Sequence, residues 1–230
     1  MGKIFSYFAL SEKLLWLFSA VAVIGAFFMF GGSYLNLAAS LFGITSLIFL
    51  AKGNPVGQAL MILFSVMYGV ISLKFHYYGE MITYLGMTAP MAVFSLVSWI
   101  KHPSGEGKTE VKLKPLSKRA ALIMLLLTSI TTFVFYYILQ FIGNANLVPS
   151  TVSVATSFAA AYLTFVRSRL FALAYALNDI VLVVLWTAAS ISDISYLTVD
   201  ICFAMFLLND FYGFINLSKI LKRQGTQNKC

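Results

Sequence analysis

Eight apolar runs, at approximately 13–31, 34–51, 55–75, 81–100, 119–142, 147–166, 170–188 and 195–217, constrain this chain more than any motif in it. Each is close to the roughly 20 residues that a helix needs to cross a bilayer. Of the 230 residues 60% are hydrophobic and only 10% charged, with a mean hydropathy of +0.87. A soluble domain of this size cannot remove that much apolar surface from water. The chain therefore reads as an all-α integral membrane protein of about eight spans. Period-2 alternation, the mark of a membrane barrel, is absent. The first run follows an amphipathic stretch, KIFSYFALSEKLLWLF, and is read as a retained spanning helix, with a signal peptide or an interfacial helix as the alternatives.

Charge orients the bundle. With eight crossings, one side receives Lys3 and Lys13, Lys52, the set Lys101, Lys108, Lys112, Lys114, Lys118 and Arg119, the pair Arg167 and Arg169, and the tail residues Lys219, Lys222, Arg223 and Lys229. Of the 16 basic residues only Lys74 is left for the other side. The positive-inside rule predicts that both termini are cytoplasmic. The net charge of +8 is explained by the same loops, which contact anionic lipid headgroups rather than nucleic acid, since no soluble platform is present. Cys202 lies inside the last run and Cys230 ends the chain, so no disulfide framework is expected.

One hydrophilic connection, KHPSGEGKTEVKLKPLSKR, divides the sequence, and its prolines and glycines among charges read as a solvated linker with no core of its own. The halves resemble each other in pattern. Runs two to four end at FSLVSWIK and runs six to eight at FYGFINLSK, and short polar turns, HYYGE and SDIS, mark the outer side of each. Three helices cross an odd number of times, so a fifth, linking helix makes the triplets parallel repeats about an axis along the membrane normal. The expected organisation is an amphipathic region and extra helix at 1–33, a first three-helix repeat at 34–101, a linker at 102–118, a linker helix at 119–145, a second repeat at 146–218 and a basic tail at 219–230.

Polar residues at helical spacing mark the faces that meet inside. The fourth run carries Glu80, Tyr84, Thr88 and Ser95; the seventh Tyr175, Asp179 and Trp186; the eighth Asn209, Tyr212 and Asn216, continued by Met205 and Cys202; the third Ser65, Tyr68 and Ser72. Together they suit a central cavity for a small polar molecule. Close helix packing is the alternative for the serine stripe, and interfacial anchoring for Tyr212 and Trp186. Asn178, Asp179, Asn209 and Asp210 are amides and acids well inside apolar runs, where an ionisable group marks function by default; Asp200 lies nearer the outer end. An enzyme is not expected. His76 and His102 are too far apart in sequence to suggest a metal pair or a dyad, and no Walker-type glycine loop is present. No cofactor and no metal are implied.

The stretches HYYGEMITYLGMTAP, LNDIVLVVLW and FLLNDFYGFINLSKI, in this order, resemble the PnuC family of nicotinamide riboside transporters from about residue 35 onward. The resemblance implies a 3+1+3 fold similar to the SWEET transporters, a homotrimer in a bacterial inner membrane, and facilitated diffusion of an unphosphorylated vitamin that a cytoplasmic kinase then traps. It sets Asn209 at the family's last-helix asparagine and Asn178 or Asp179 at its seventh-helix asparagine. The family's Trp-x-x-Trp-x-x-x-Asn pattern is broken, because Ala172 and Tyr175, or Phe171 and Ala174, stand in the tryptophan positions. Branches similar to this one carry thiamine, riboflavin or deoxynucleosides, and these are the alternative cargoes. A planar base has Tyr175, Trp186, Tyr84 or Tyr68 to stack on, and a cationic ring has Asp179. Asp179, Asp210 and Glu80 are candidates either for carrying protons or for binding ligand alone.

Overall fold

The computed structural model describes residues 7–74, 77–105, 109–144 and 146–227. His76, Gly107 and Cys230, and the basic residues Lys3, Lys108 and Lys229, lie outside them. Among the described residues eight helices are long and apolar enough to cross a membrane: α1 (Leu10–Phe30), α2 (Tyr34–Ala51), α3 (Val56–Lys74), α4 (Tyr78–Ile100), α5 (Lys118–Phe141), α6 (Leu147–Phe165), α7 (Leu170–Ser190) and α8 (Leu197–Gln227). No β-strand is found among the described residues.

Local chemistry sets the ends. Ser33 and Ser117 accept hydrogen bonds from the backbone N–H of Asn36 and Ala120, capping α2 and α5. Asp193 caps the short 3₁₀ turn before α8 through Ser195, and those hydrogen bonds hold its carboxyl below the usual range. The turns α2–α3 and α6–α7 close alike, each on one left-handed residue, Gly53 (φ 65°) and Arg167 (φ 62°). In each, two consecutive N–H groups return to the last helical carbonyls, Gly53 and Asn54 to Leu50 and Phe49, Arg167 and Ser168 to Thr164 and Leu163.

Packing closes six helices into a ring. Around it, α2 meets α3, α3 meets α4, α4 meets α6, α6 meets α7, α7 meets α8, and α8 returns to α2. Outside the ring, α1 packs on α2 and α8, and α5 on α6. The end carrying Lys52, Lys101, Arg167 and Lys219 is called the basic end below. There Ser98 of α4 donates to the carbonyl of Phe165, the last residue of α6 (3.0 Å), and Asn216 of α8 donates to that of Ala51, the last residue of α2 (2.9 Å). The two contacts tie each half to the other in the same way.

The connection after α4 differs from the solvated linker expected from its composition. Val111 and Leu113 are buried while Lys112 and Lys114 face water, a short alternation that composition alone conceals. The segment straps the basic end. The N–H of Val111 donates to the carbonyl of Gly53 (2.8 Å) and that of Lys114 to Arg167 (3.0 Å), the two left-handed residues of the matching turns. The expected tail is also largely helix, since α8 runs on to Gln227, and its Gln224 accepts from the N–H of Leu113 (2.9 Å) and donates to Glu110 and to the carbonyl of Val111. Arg223 pairs with Glu110.

Candidate functional site

Every helix of the ring contributes to one central cavity. It is lined by Leu47 (α2), Met61 and Phe64 (α3), Tyr84 and Thr88 (α4), Ser157 (α6), Tyr175, Asn178 and Asp179 (α7), and Phe203, Phe206 and Asp210 (α8). No lysine, arginine or histidine lines it among the described residues. The polar groups are carboxyl, amide, hydroxyl and phenol, and the rest is mainly aromatic, the mixture that binds a flat polar ligand.

On α7, Asn178 and Asp179 are consecutive, so their side chains leave the helix about 100° apart. Asn178 turns toward α6, where its carbonyl oxygen accepts from Thr156 (2.8 Å), Ser157 (3.0 Å) and Ser153 (3.4 Å). That leaves its amide N–H groups as the donors available to the cavity. Asp179 turns toward α8, within hydrogen-bonding reach of the Asp210 carboxyl. Its Oδ2 is buried without a protein partner. Tyr175 sits one turn below Asp179, its hydroxyl against Thr164.

On α4 the backbone is adapted to the site. Residues Thr83–Thr88 form a π-helical turn, with the N–H of Ala89 bonded to the carbonyl of Tyr84. Pro90 follows immediately and has no N–H to give, so a regular helix would leave a carbonyl unpaired there. The hydroxyls of Thr83 and Thr88 bond the carbonyls of Gly79 and Thr83 (2.8 and 3.2 Å) and satisfy the widened turn. Such bulges recur at functional sites, and this one carries Tyr84 and Thr88 into the cavity wall.

The cavity is closed. Its free space is about 20 Å³, too little for a ring joined to a sugar, because Phe64, Tyr84 and Phe206 meet across it: the Phe64 ring centroid is 5.9 Å from that of Tyr84 and 5.2 Å from that of Phe206. Toward the end away from the basic loops, Tyr77, Trp186 and Tyr196 form a plug with centroids 4.9 to 6.1 Å apart, and Tyr68 joins it from below, 6.2 Å from Trp186. Toward the basic end Ala51, Ala172 and Gly213 meet from three helices; an added Cβ on Gly213 would lie 3.6 and 3.7 Å from the other two methyl carbons. Small residues allow that approach. The central cavity expected from the polar faces is therefore present without room for a nucleoside: the six helices surround a closed site.

Of the residues read from the sequence as site residues, Tyr84, Thr88, Tyr175, Asn178 and Asp179 border the cavity. Tyr68 and Trp186 belong to the aromatic layer above it. Glu80 lies higher still, buried near Ser153 with Oε2 unpartnered. Asn209 and Tyr212 turn onto α1 instead, the amide of Asn209 donating to Ser19 (2.9 Å) and the Tyr212 hydroxyl to Glu12 (3.2 Å). Tyr212 borders a second space, a polar cleft of about 700 Å³ at the basic end, shared with Glu12, Lys52, Glu110, Asn216, Lys219 and Arg223. The sequence reading left Ser157, Phe203 and Phe206 out of the site and named Asp210 only as a candidate proton carrier or ligand group, without placing it in the lining. Phe203, Phe206 and Asp210 are spaced 3 and 4, the spacing that would have revealed the inward face of α8.

Comparison with known proteins agrees with this architecture. The family model described as nicotinamide mononucleotide transporter matches residues 33–219. A nicotinamide riboside transporter PnuC of Neisseria mucosa is 30% identical over 221 residues, covering 94% of this chain and 84% of that protein. A protein of the same name from Haemophilus influenzae is 22% identical over 204 residues, covering 88% of this chain and 87% of its own length. A crystal structure of the vitamin B3 transporter PnuC superimposes with a TM-score of 0.82 at 26% identity, over 94% of both chains.

Proposed function

The chain belongs to the nicotinamide mononucleotide transporter family, and from that premise we propose that it takes up nicotinamide riboside by facilitated diffusion through the centre of its six-helix ring. One observation of the structure carries this reading, that all six ring helices converge on a buried polar and aromatic site; the substrate is taken from the curated relatives, which are named for it. Tyr175 and Tyr84 supply faces for the nicotinamide ring, Asp179 a counter-charge, and Asn178 donors for the ribose hydroxyls.

In this reading the chain is a 3+1+3 protein of the SWEET type, with α2 to α4 and α6 to α8 as parallel repeats, α5 as linker and α1 as the extra helix. The matching turns at Gly53 and Arg167 and the paired contacts of Ser98 and Asn216 support it. The closed site is one stage of alternating access, opened when one triplet rocks against the other. Both termini face the cytoplasm of a bacterial inner membrane, where a kinase phosphorylates the arriving vitamin and so retains it. The assembly is a homotrimer. Almost all of α5 is uncovered in the single chain, with Leu139 its one buried residue, which supports an assembly surface there.

Binding to the purified protein tests the substrate. Nicotinamide riboside should bind, and replacing Tyr175 with alanine should weaken it about tenfold, the order of one lost aromatic contact with a cationic ring. Equal affinity in the variant removes Tyr175 from the site. A second reading, another Pnu-type cargo such as thiamine, riboflavin or a deoxynucleoside, is favoured by the absence of tryptophan in α7 before Asp179. Ala172 there is packed against Gly213 and only Tyr175 reaches the cavity. Tight binding of one of these, with none of nicotinamide riboside, establishes it.

A further inference from the structure

Asp210, read from the sequence as a candidate proton carrier or ligand group and not placed in the cavity lining, is 5% exposed, lines the cavity and stands against Asp179, itself 3% exposed. Two carboxyls in contact in a closed space, with no basic side chain in its lining, repel if both are ionised and bond if one carries a proton. The groups facing them are uncharged partners: Tyr84 from α4, Tyr175 from their own side on α7, Asn178 beside them and Cys202 from α8. The unpartnered Oδ2 of Asp179 shows that the pair is not consumed by the protein's own hydrogen bonds.

Resting on the proposal that this cavity holds the substrate, we infer that Asp179 and Asp210 act together as one singly charged unit that selects a monocationic heteroaromatic ring over its neutral isosteres. A positive ring lying against the pair finds its counter-charge without a second uncompensated carboxylate, while an uncharged ring of the same shape must bury the charge unpaired. The protonated partner also provides a donor for a sugar hydroxyl. The rule divides the candidate cargoes. Nicotinamide riboside and thiamine carry the charge; riboflavin and deoxynucleosides do not.

The test compares nicotinamide riboside with its reduced dihydro form, which keeps the heavy-atom skeleton and lacks the ring charge, in equilibrium binding to the full-length protein in nanodiscs. The wild type should prefer the cation by about tenfold or more. Asp179→Asn and Asp210→Asn should each retain most of the ratio, because the amide mimics the protonated acid and the other aspartate keeps the charge. The double variant, checked by its elution profile and melting temperature to be folded, should bring the ratio to about one. A double variant that keeps the tenfold ratio, or a wild type without preference, overturns the inference. If the wild type binds neither form, the nicotinamide riboside reading fails, and the ratio between thiamine and its uncharged thiophene isostere then decides the charge rule by the same criteria.

Discussion

Replacing Gly43 with alanine is expected to cut substrate uptake about tenfold to 100-fold while leaving the protein folded in the membrane. Gly43 lies on α2 where a Cβ would overlap the Phe206 ring and approach Phe64 at 3.1 Å. Both rings line the cavity. Backed by Phe203 at 5.5 Å and Phe64 at 5.2 Å, Phe206 yields most easily toward the cavity, where the substrate would lie. Overpacking of this kind costs about 1–3 kcal/mol, and the same energy charged against the substrate-bound form is about tenfold to 100-fold in affinity. The double variant Gly43→Ala, Phe206→Leu should recover most of the uptake, because the smaller side chain makes room for the added methyl. A Gly43→Ala protein that transports normally would show that the rings do not border the path.

The second large effect is on stability, at the opposite edge of the ring. Glu12 of α1 is 2% exposed and holds three groups together: the Lys52 ammonium at 3.1 and 3.2 Å, the Tyr212 hydroxyl at 3.2 Å and the N–H of Ala9 at 2.7 Å. The Lys52 ammonium also lies over the Tyr7 ring, 4.7 Å from its centroid. Truncating Glu12 to alanine strands a partly buried cation and two other donors at once. The expected loss is about 3 kcal/mol, the lower end for breaking a buried ion pair since Lys52 keeps some contact with water. Glu12→Gln, which retains the acceptor oxygen, should lose less. The measurement is the melting temperature of both variants and the wild type in the same detergent; Glu12→Gln as stable as the wild type would show that the charge contributes nothing beyond its hydrogen bonds, and Glu12→Ala as stable as the wild type contradicts the prediction. This network explains why α1, outside the ring, is nonetheless fixed to α2 and α8.

The sequence carried the eight helices in their hydrophobicity, and the inward faces of α4 and α7 in the spacing of Tyr84 and Thr88 and of Tyr175 and Asp179. Three features were hidden for physical reasons. On α8, Asn209 and Asp210 are adjacent and equally unusual in an apolar run, and spacing alone does not say which of two neighbours about 100° apart faces inward; the answer depends on Ser19 of α1, which takes Asn209. The closure of the cavity depends on how Phe64, Tyr84 and Phe206 pack, and apolar aromatic residues look alike in sequence whether they fill a core or wall a site. The strap over the basic end was masked by Lys112 and Lys114, which alternate with Val111 and Leu113, since its anchors are backbone carbonyls at Gly53 and Arg167, which no residue type announces. The plug residue Trp186 shows the converse case, a member of a correct stripe that lies one level too far out to border the cavity.

Uptake of labelled nicotinamide riboside into sealed vesicles, containing only the purified protein and neither kinase nor ATP, tests the central claim most directly. Saturable entry that stops at the equilibrium distribution, and continues past it only when a kinase and ATP are enclosed, is the result predicted for a carrier with an internal site and no drive of its own. Entry no faster than into protein-free vesicles, or entry that begins only when ATP is supplied outside, contradicts it.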